Sequence, residues 1–208
     1  MNNCFFCSEG KDFSYSRSIM GEDWPYMDRV VYSNDHVYAV AGYGPQIAPY
    51  VLVIPFRHMK SMADMNSNEI RDFERCLYTL NTRHTMGRSI CFFEHGGSST
   101  DGSSSIDHCH IHVINGDIGF FDYEEFEDYE EISWLDIGMT EVPYFLVGQY
   151  IDGNIWIKVK KDTRQEHQYL RKVLAKKLGL EQWDWKENQR ADLMLDTMEM
   201  FRFLCHRV

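Results

Sequence analysis

Apolar residues fall into short blocks through the first half of the chain, and the blocks read as strands. Val30-Val31-Tyr32, His36 to Val40 and Tyr50 to Ile54 are rich in β-branched and aromatic side chains, which suit a pleated, half-buried surface. Gly42-Tyr43-Gly44-Pro45, between the last two, is a turn signal. The period then changes. Asn66 and Glu69 have capping-box spacing, and Ile70, Phe73, Leu77 and Leu80 recur at helical intervals, so the pattern predicts a helix from Asn66. Ile90-Cys91-Phe92-Phe93 reads as a buried strand, Gly96 to Ser105 as a loop of Gly, Ser, Thr and Asp, and His108 to Ile114 as another strand. Residues 1–28 are polar and Gly-rich apart from Phe5 and Phe6.

Beyond Asn115 the character shifts. Asp122 to Glu131 is a dense acidic stretch that reads as a solvated surface segment. Tyr144 to Val147 and Asn154 to Val159 form a hairpin pattern around Asp152-Gly153. A helix is predicted from about Gln165 to Leu178, stopped by Gly179, with Leu170, Val173, Leu174 and Leu178 facing a core. Another is predicted from about Ala191 to Leu204. The expected fold class is α+β: a unit over residues 1–115 with an antiparallel sheet and packed helices, then an α/β extension over 116–208.

Composition narrows the picture. The chain has 208 residues, 44% of them hydrophobic, with 13 Phe, 12 Tyr and 5 Trp to fill a core. Net charge is −11 and no basic run is visible, which disfavours nucleic acid as the partner, because such binding draws on clustered Lys and Arg. One local site can still be positive, so small anions remain open. No apolar run approaches the roughly 20 residues that span a bilayer. The N-terminus lacks the basic and apolar regions of a secretory signal, so the six cysteines read as thiols or metal ligands and the expected location is cytoplasmic.

The segment Ser105-Ile106-Asp107-His108-Cys109-His110-Ile111-His112-Val113-Ile114 carries the chemistry. Alternate residues of a strand share a face, so the three imidazoles line one surface while Cys109, Ile111 and Val113 face the other. Neutral imidazole suits metal binding. It also suits nucleophilic attack on phosphorus followed by proton transfer. The bland alternative is three satisfied histidines on a polar strand face.

The run from His108 to Ile114 resembles the signature of the histidine-triad (HIT) superfamily, His-φ-His-φ-His-φ-φ with φ apolar. Asn34-Asp35-His36-Val37-Tyr38-Ala39 is similar to the family's Asp-x-His-Val-x-Ala strand, and Val51-Leu52-Val53-Ile54-Pro55-Phe56-Arg57-His58 to its Leu-Val-Ile-Pro-Lys-x-His segment. The resemblance implies that His110 attacks the α-phosphorus and forms a nucleotidyl-histidine intermediate, which water or another acceptor resolves. His112 is then expected to contact the phosphate and help protonate the leaving group. Ser105, Ser104 and Ser103 fall on the loop that donates hydrogen bonds to phosphate. The implied substrate is a small nucleotide such as a phosphoramidate or a dinucleoside polyphosphate, and small relatives pair as homodimers. Gly42 stands where many relatives carry an acidic ribose contact, and Glu94-His95-Gly96 where the family has Asn-x-Gly. A carboxylate at Glu94 repels phosphate unless it is protonated, paired or turned away.

Cys4-x-x-Cys7 alone fits a redox pair, two free thiols or half of a metal site. Some relatives with this motif complete a structural zinc site with the positions that here are His58 and His108, and the full set is present. In the extension, His167, Arg171 and Lys172 read as the basic, solvated face of a helix, with substrate contact as the sharper alternative. Trp183 and Trp185 read as packing. Against the enzyme stand two other readings. One is a nucleotide-binding module that has lost turnover; the other is an enzyme that removes a nucleotide from a nucleic-acid 5′ end.

Overall fold

The computed structural model describes residues 4–21, 24–81, 86–97, 108–162, 166 and 168–203. Eight strands form one sheet: β1 (Val30–Ser33), β2 (Val37–Ala41), β3 (Tyr50–Pro55), β4 (Ile90–Gly96), β5 (Ile111–Asn115), β6 (Glu130–Ile132), β7 (Tyr144–Ile151) and β8 (Asn154–Lys161). Their order is β1-β2-β3-β5-β4-β7-β8-β6, and every neighbouring pair is antiparallel. The strands on either side of residue 115 therefore share one sheet, joined where β7 pairs with β4. Among the described residues five α-helices accompany it: α1 (Phe5–Lys11), α2 (Arg17–Met20), α3 (Ser67–Leu80), α4 (Tyr169–Leu178) and α5 (Ala191–Phe201). None among the described residues is long and apolar enough to cross a membrane.

Both faces of the sheet are covered, which explains why β2 and β3 are apolar throughout rather than alternating. On one face Phe73, Leu77 and Leu80 of α3 and Met194, Met198 and Phe201 of α5 pack against Ala39, Val51, Val53, Phe92, Ile111 and Val113. On the other, Phe6 of α1 and Tyr169, Leu170, Val173 and Leu174 of α4 pack with Tyr50, Phe93, Phe145 and Val147.

The capping box expected at Asn66 and Glu69 is present in full and starts α3. The polar N-terminal segment, by contrast, holds a short helix that its sequence did not signal. Seven residues are too few for a stable isolated helix. Tertiary contacts hold α1 instead. Phe6 is buried, contributing about 1.5–3 kcal/mol. Arg29 donates to both carboxylate oxygens of Glu9, at 2.7 and 3.0 Å, and Tyr38 Oη donates to the Phe6 carbonyl. In the acidic stretch, Asp122, Glu127 and Asp128 are exposed as expected, while Phe126 and Tyr129 turn into the core.

Glu94 is one of several buried carboxylates. Glu94 accepts the Met62 amide at 2.9 Å, the Tyr144 hydroxyl at 2.5 Å and the Cys109 thiol at 3.0 Å. Burial pushes its carboxyl up to about 7, from an ordinary value of 4.5, against those hydrogen bonds. Between these values the native state holds a proton that the unfolded chain has released, so stability falls as pH rises across the window, by roughly 3 kcal/mol at most. Glu94→Gln lacks this titration. Its stability relative to wild type, read from urea unfolding, is expected to climb from about pH 4.5 to about pH 7. A difference that stays flat with pH refutes a protonated Glu94.

Candidate functional site

β5 lies between β3 and β4 and registers Leu52 and Phe93 against His112. Cys109, Ile111 and Val113 are buried on the α3 side, and the His110 and His112 rings project half-buried on the side of α1 and α4. The period-two expectation for this segment holds, although the strand begins at Ile111 rather than His108.

His110 Nδ1 lies 2.7 Å from the His108 carbonyl oxygen. A carbonyl only accepts, so Nδ1 carries the proton and Nε2 holds the lone pair. That Nε2 has no hydrogen-bond partner among the described residues. The ring leans on Phe6, with centroids 5.4 Å apart, and on His112 at 5.2 Å. Burial lowers its pKa, and Arg171, His95 and Arg29 act the same way against the His108 hydrogen bond, so the ring is held neutral. His112 stacks on Phe93 at 4.7 Å and 8°, with Nδ1 2.7 Å from Tyr50 Oη. Burial, then His110 and Arg171, hold its pKa well below the ordinary imidazole value.

His108 is separated from this pair. It is 2% exposed, and its Nε2–H donates to the Pro55 carbonyl at 2.9 Å. Its Nδ1 lies 3.3 Å from Cys4 Sγ and 3.5 Å from Cys7 Sγ, and His58 Nδ1 lies 3.3 Å from Cys7 Sγ. All four ligand atoms fall within 4.8 Å of one another. Sulfur and imidazole donors at this spacing fit a tetrahedral metal ion, and the Pro55 bond fixes the tautomer that points the His108 lone pair at the thiols. Burial and the neighbouring Cys4 push the Cys7 thiol up to about 11, so metal binding displaces protons here.

Three of the sequence candidates, Ser103, Ser104 and Ser105, lie outside the described residues, as does His167. Two others do not join the rings as substrate contacts. Glu94 points to the α3 face, where Met62, Tyr144 and Cys109 saturate it, because alternation along β4 puts Phe93 and His95 on the triad face instead. Gly42 is buried against Tyr50: a Cβ there would sit 2.6 Å from Tyr50 Cδ1, so the ring fills the space of any side chain.

Sequence reasoning missed other groups on this face. Extending the β4–β5 register by two residues sets His95 opposite His110, and His95 Nε2–H donates to Asp162 at 2.7 Å. The same alternation that placed Phe93 could have found His95; nothing local signals Asp162. Arg171 corrects the reading of α4 as a solvated basic helix. Lys172 is exposed, but Arg171 is 5% exposed and donates to Tyr50 Oη at 3.0 Å. Trp183 and Trp185 are half-buried, and Trp185 packs edge-on to Tyr43 at 5.8 Å, in keeping with a packing role.

Known proteins resemble the chain in part. Solved structures similar to it include a HIT family hydrolase from Clostridium thermocellum, with 18% identity over 56% of this chain and 92% of that one and a TM-score of 0.39. A histidine triad protein from Clostridium difficile shows 21% identity over the same shares, with a TM-score of 0.39. A diadenosine triphosphate hydrolase from Plasmodium falciparum, solved with cyclomarin A, shows 20% identity over 42% of this chain and 60% of that one, with a TM-score of 0.33. No curated protein matches the chain. The family model described as the HIT domain matches residues 26–118, a span that contains His58 and all three triad histidines.

Proposed function

We propose that the protein is a nucleotide hydrolase or nucleotidyl transferase working through a covalent histidyl intermediate. The observation that carries this reading is the hydrogen bond from His110 Nδ1 to the His108 carbonyl, which leaves Nε2 as an unprotonated nucleophile on a half-buried ring. Nε2 attacks the α-phosphorus of a small nucleotide conjugate, forming a P–N bond as the bond to the leaving group breaks. The carbonyl of His108 then faces an Nδ1–H that has gained positive character, which strengthens that hydrogen bond. Water, or another acceptor hydroxyl, attacks the same phosphorus and breaks the P–N bond. Its released proton balances the charge the leaving group took away. His112 donates a hydrogen bond to the phosphate during both steps, and Ser103, Ser104 and Ser105 supply further donors from the loop.

Cys4, Cys7, His58 and His108, whose ligand atoms cluster within 4.8 Å, would hold a structural zinc ion. Zinc bound by these residues would have a structural role: it would fix His108, and so the carbonyl on which the His110 tautomer depends.

Two experiments check these readings. Incubation with a panel of labelled phosphoramidates and dinucleoside polyphosphates, followed by acid-free trapping, is expected to yield an adduct at His110. His110→Ala is expected to abolish turnover and adduct while leaving the fold and metal content unchanged. An unaltered rate in that variant, or no turnover and no adduct across the panel, sinks the mechanism. Purified wild-type protein is expected to contain about one zinc per chain, as a site of four protein ligands requires, and Cys4→Ala substantially less. Equal metal content in the two removes the zinc assignment.

A further inference from the structure

Arg171 lies 121 residues from Tyr50 in sequence, yet their side chains meet beneath the triad. Its Nη1–H donates to Tyr50 Oη at 3.0 Å, Nη2–H to the Gly44 carbonyl at 2.6 Å and the Trp183 carbonyl at 3.1 Å, and Nε–H to Trp183 at 3.3 Å. The guanidinium carbon sits 5.6 Å from the Tyr50 ring centroid. Tyr50 is fully buried, and its hydroxyl oxygen is 2.7 Å from His112 Nδ1.

The protons at this junction can be assigned by elimination. Arginine only donates, so it occupies a lone pair of the phenol oxygen. The phenol has one proton, and the acceptor within reach of it among the described residues is His112 Nδ1. Were Nδ1 protonated instead, the hydroxyl would receive two donors and its own proton would be buried without an acceptor, an arrangement that carries the full cost of an unmade hydrogen bond. A neutral ring with a bare Nδ1 carries its hydrogen on Nε2.

We propose that Arg171 is a positioning residue of the triad: acting through Tyr50, it locks His112 as the Nε2–H tautomer, a donor ready for an anionic phosphate. The glycines of the 42–44 turn fit this arrangement. Gly42 leaves the space that the Tyr50 ring fills. Gly44, at φ +62°, offers its carbonyl to Arg171 and would bring a Cβ within 2.6 Å of Trp185 Cβ. With the other tautomer, a lone pair on Nε2 would face the phosphate oxygens and repel them. The proposal deepens the enzymatic reading and rests on it for its consequence, whereas the tautomer itself is a property of the free protein.

Histidine-ring nitrogen NMR of the substrate-free protein tests it directly. Wild type is expected to show His112 with a pyridine-type Nδ1 and a pyrrole-type Nε2. Tyr50→Phe, which conserves the ring, and Arg171→Met are each expected to lose that single pattern and give mixed tautomers. Turnover in folded variants is expected to fall by about 10–100-fold, the range for partners that orient an imidazole. A protonated Nδ1 in wild type overturns the proposal. So does an unchanged His112 pattern in folded Tyr50→Phe, which decides the matter if Arg171→Met does not fold. Failure of the enzymatic reading would instead appear as absent turnover with the tautomer intact.

Discussion

The proposed chemistry hangs on a hydrogen bond between two residues of the triad itself, from the His110 ring to the His108 carbonyl. An imidazole is a useful nucleophile only when one nitrogen is bare, and this bond decides which one. The carbonyl can act in this way because its own residue is immobilised from three directions. Pro55 holds the His108 ring, the thiols of Cys4 and Cys7 flank its Nδ1, and the Cys109 amide donates to the Met59 carbonyl at 2.7 Å. Those thiols are in turn placed by α1, which the Arg29–Glu9 pair and Phe6 pin to the sheet. A two-pronged pair of this kind, with both partners buried, combines charge with fixed geometry.

The rings project half-buried from a sheet whose faces are otherwise covered. β5 is central, its α3-facing residues packed on Phe73, Leu77 and the apolar side of α5. On the opposite face α1 and α4 stand as two walls, with His110 against Phe6 and His112 against Phe93, itself part of the cluster under α4. The strands after residue 115 do more than lengthen the sheet. β8 leads directly into Asp162, which holds His95, and α4 brings Arg171 to Tyr50. Residues far along the chain thus set the surroundings of the His110 and His112 rings.

That contrast explains which features were legible in the sequence. The alternation of His108, His110 and His112 and the Asn66–Glu69 capping box are local, fixed by the periods of strand and helix, and both survive into the structure. The four metal-ligand candidates meet as the family resemblance implied. Arg171 was misread because charge patterning assigns a basic residue to solvent by default, and only a tertiary acceptor set can make its burial favourable. α1 escaped notice because its stability comes from a residue at position 29 and not from its own seven residues. Glu94 reads as a substrate neighbour in the sequence because a motif aligns positions and not faces; one step along a strand reverses the direction of a side chain.

The same distinction governs charge. With a net charge of −11 the chain as a whole repels anions, yet solvent screens charges separated by more than about 8 Å at physiological salt, so the site answers mainly to its nearest groups. Two buried guanidinium groups act there, and they are not equivalent. Arg29 is matched by Glu9 at 2.7 Å, so its field is largely cancelled a short distance away. The hydrogen-bond acceptors of Arg171 among the described residues are two carbonyls and a phenol, all neutral, while the carboxylate of Asp184 lies near enough for the Arg171 charge to help lower its pKa. A cation in that position opposes protonation of both triad rings, and under the proposed function it would favour a phosphate arriving above them.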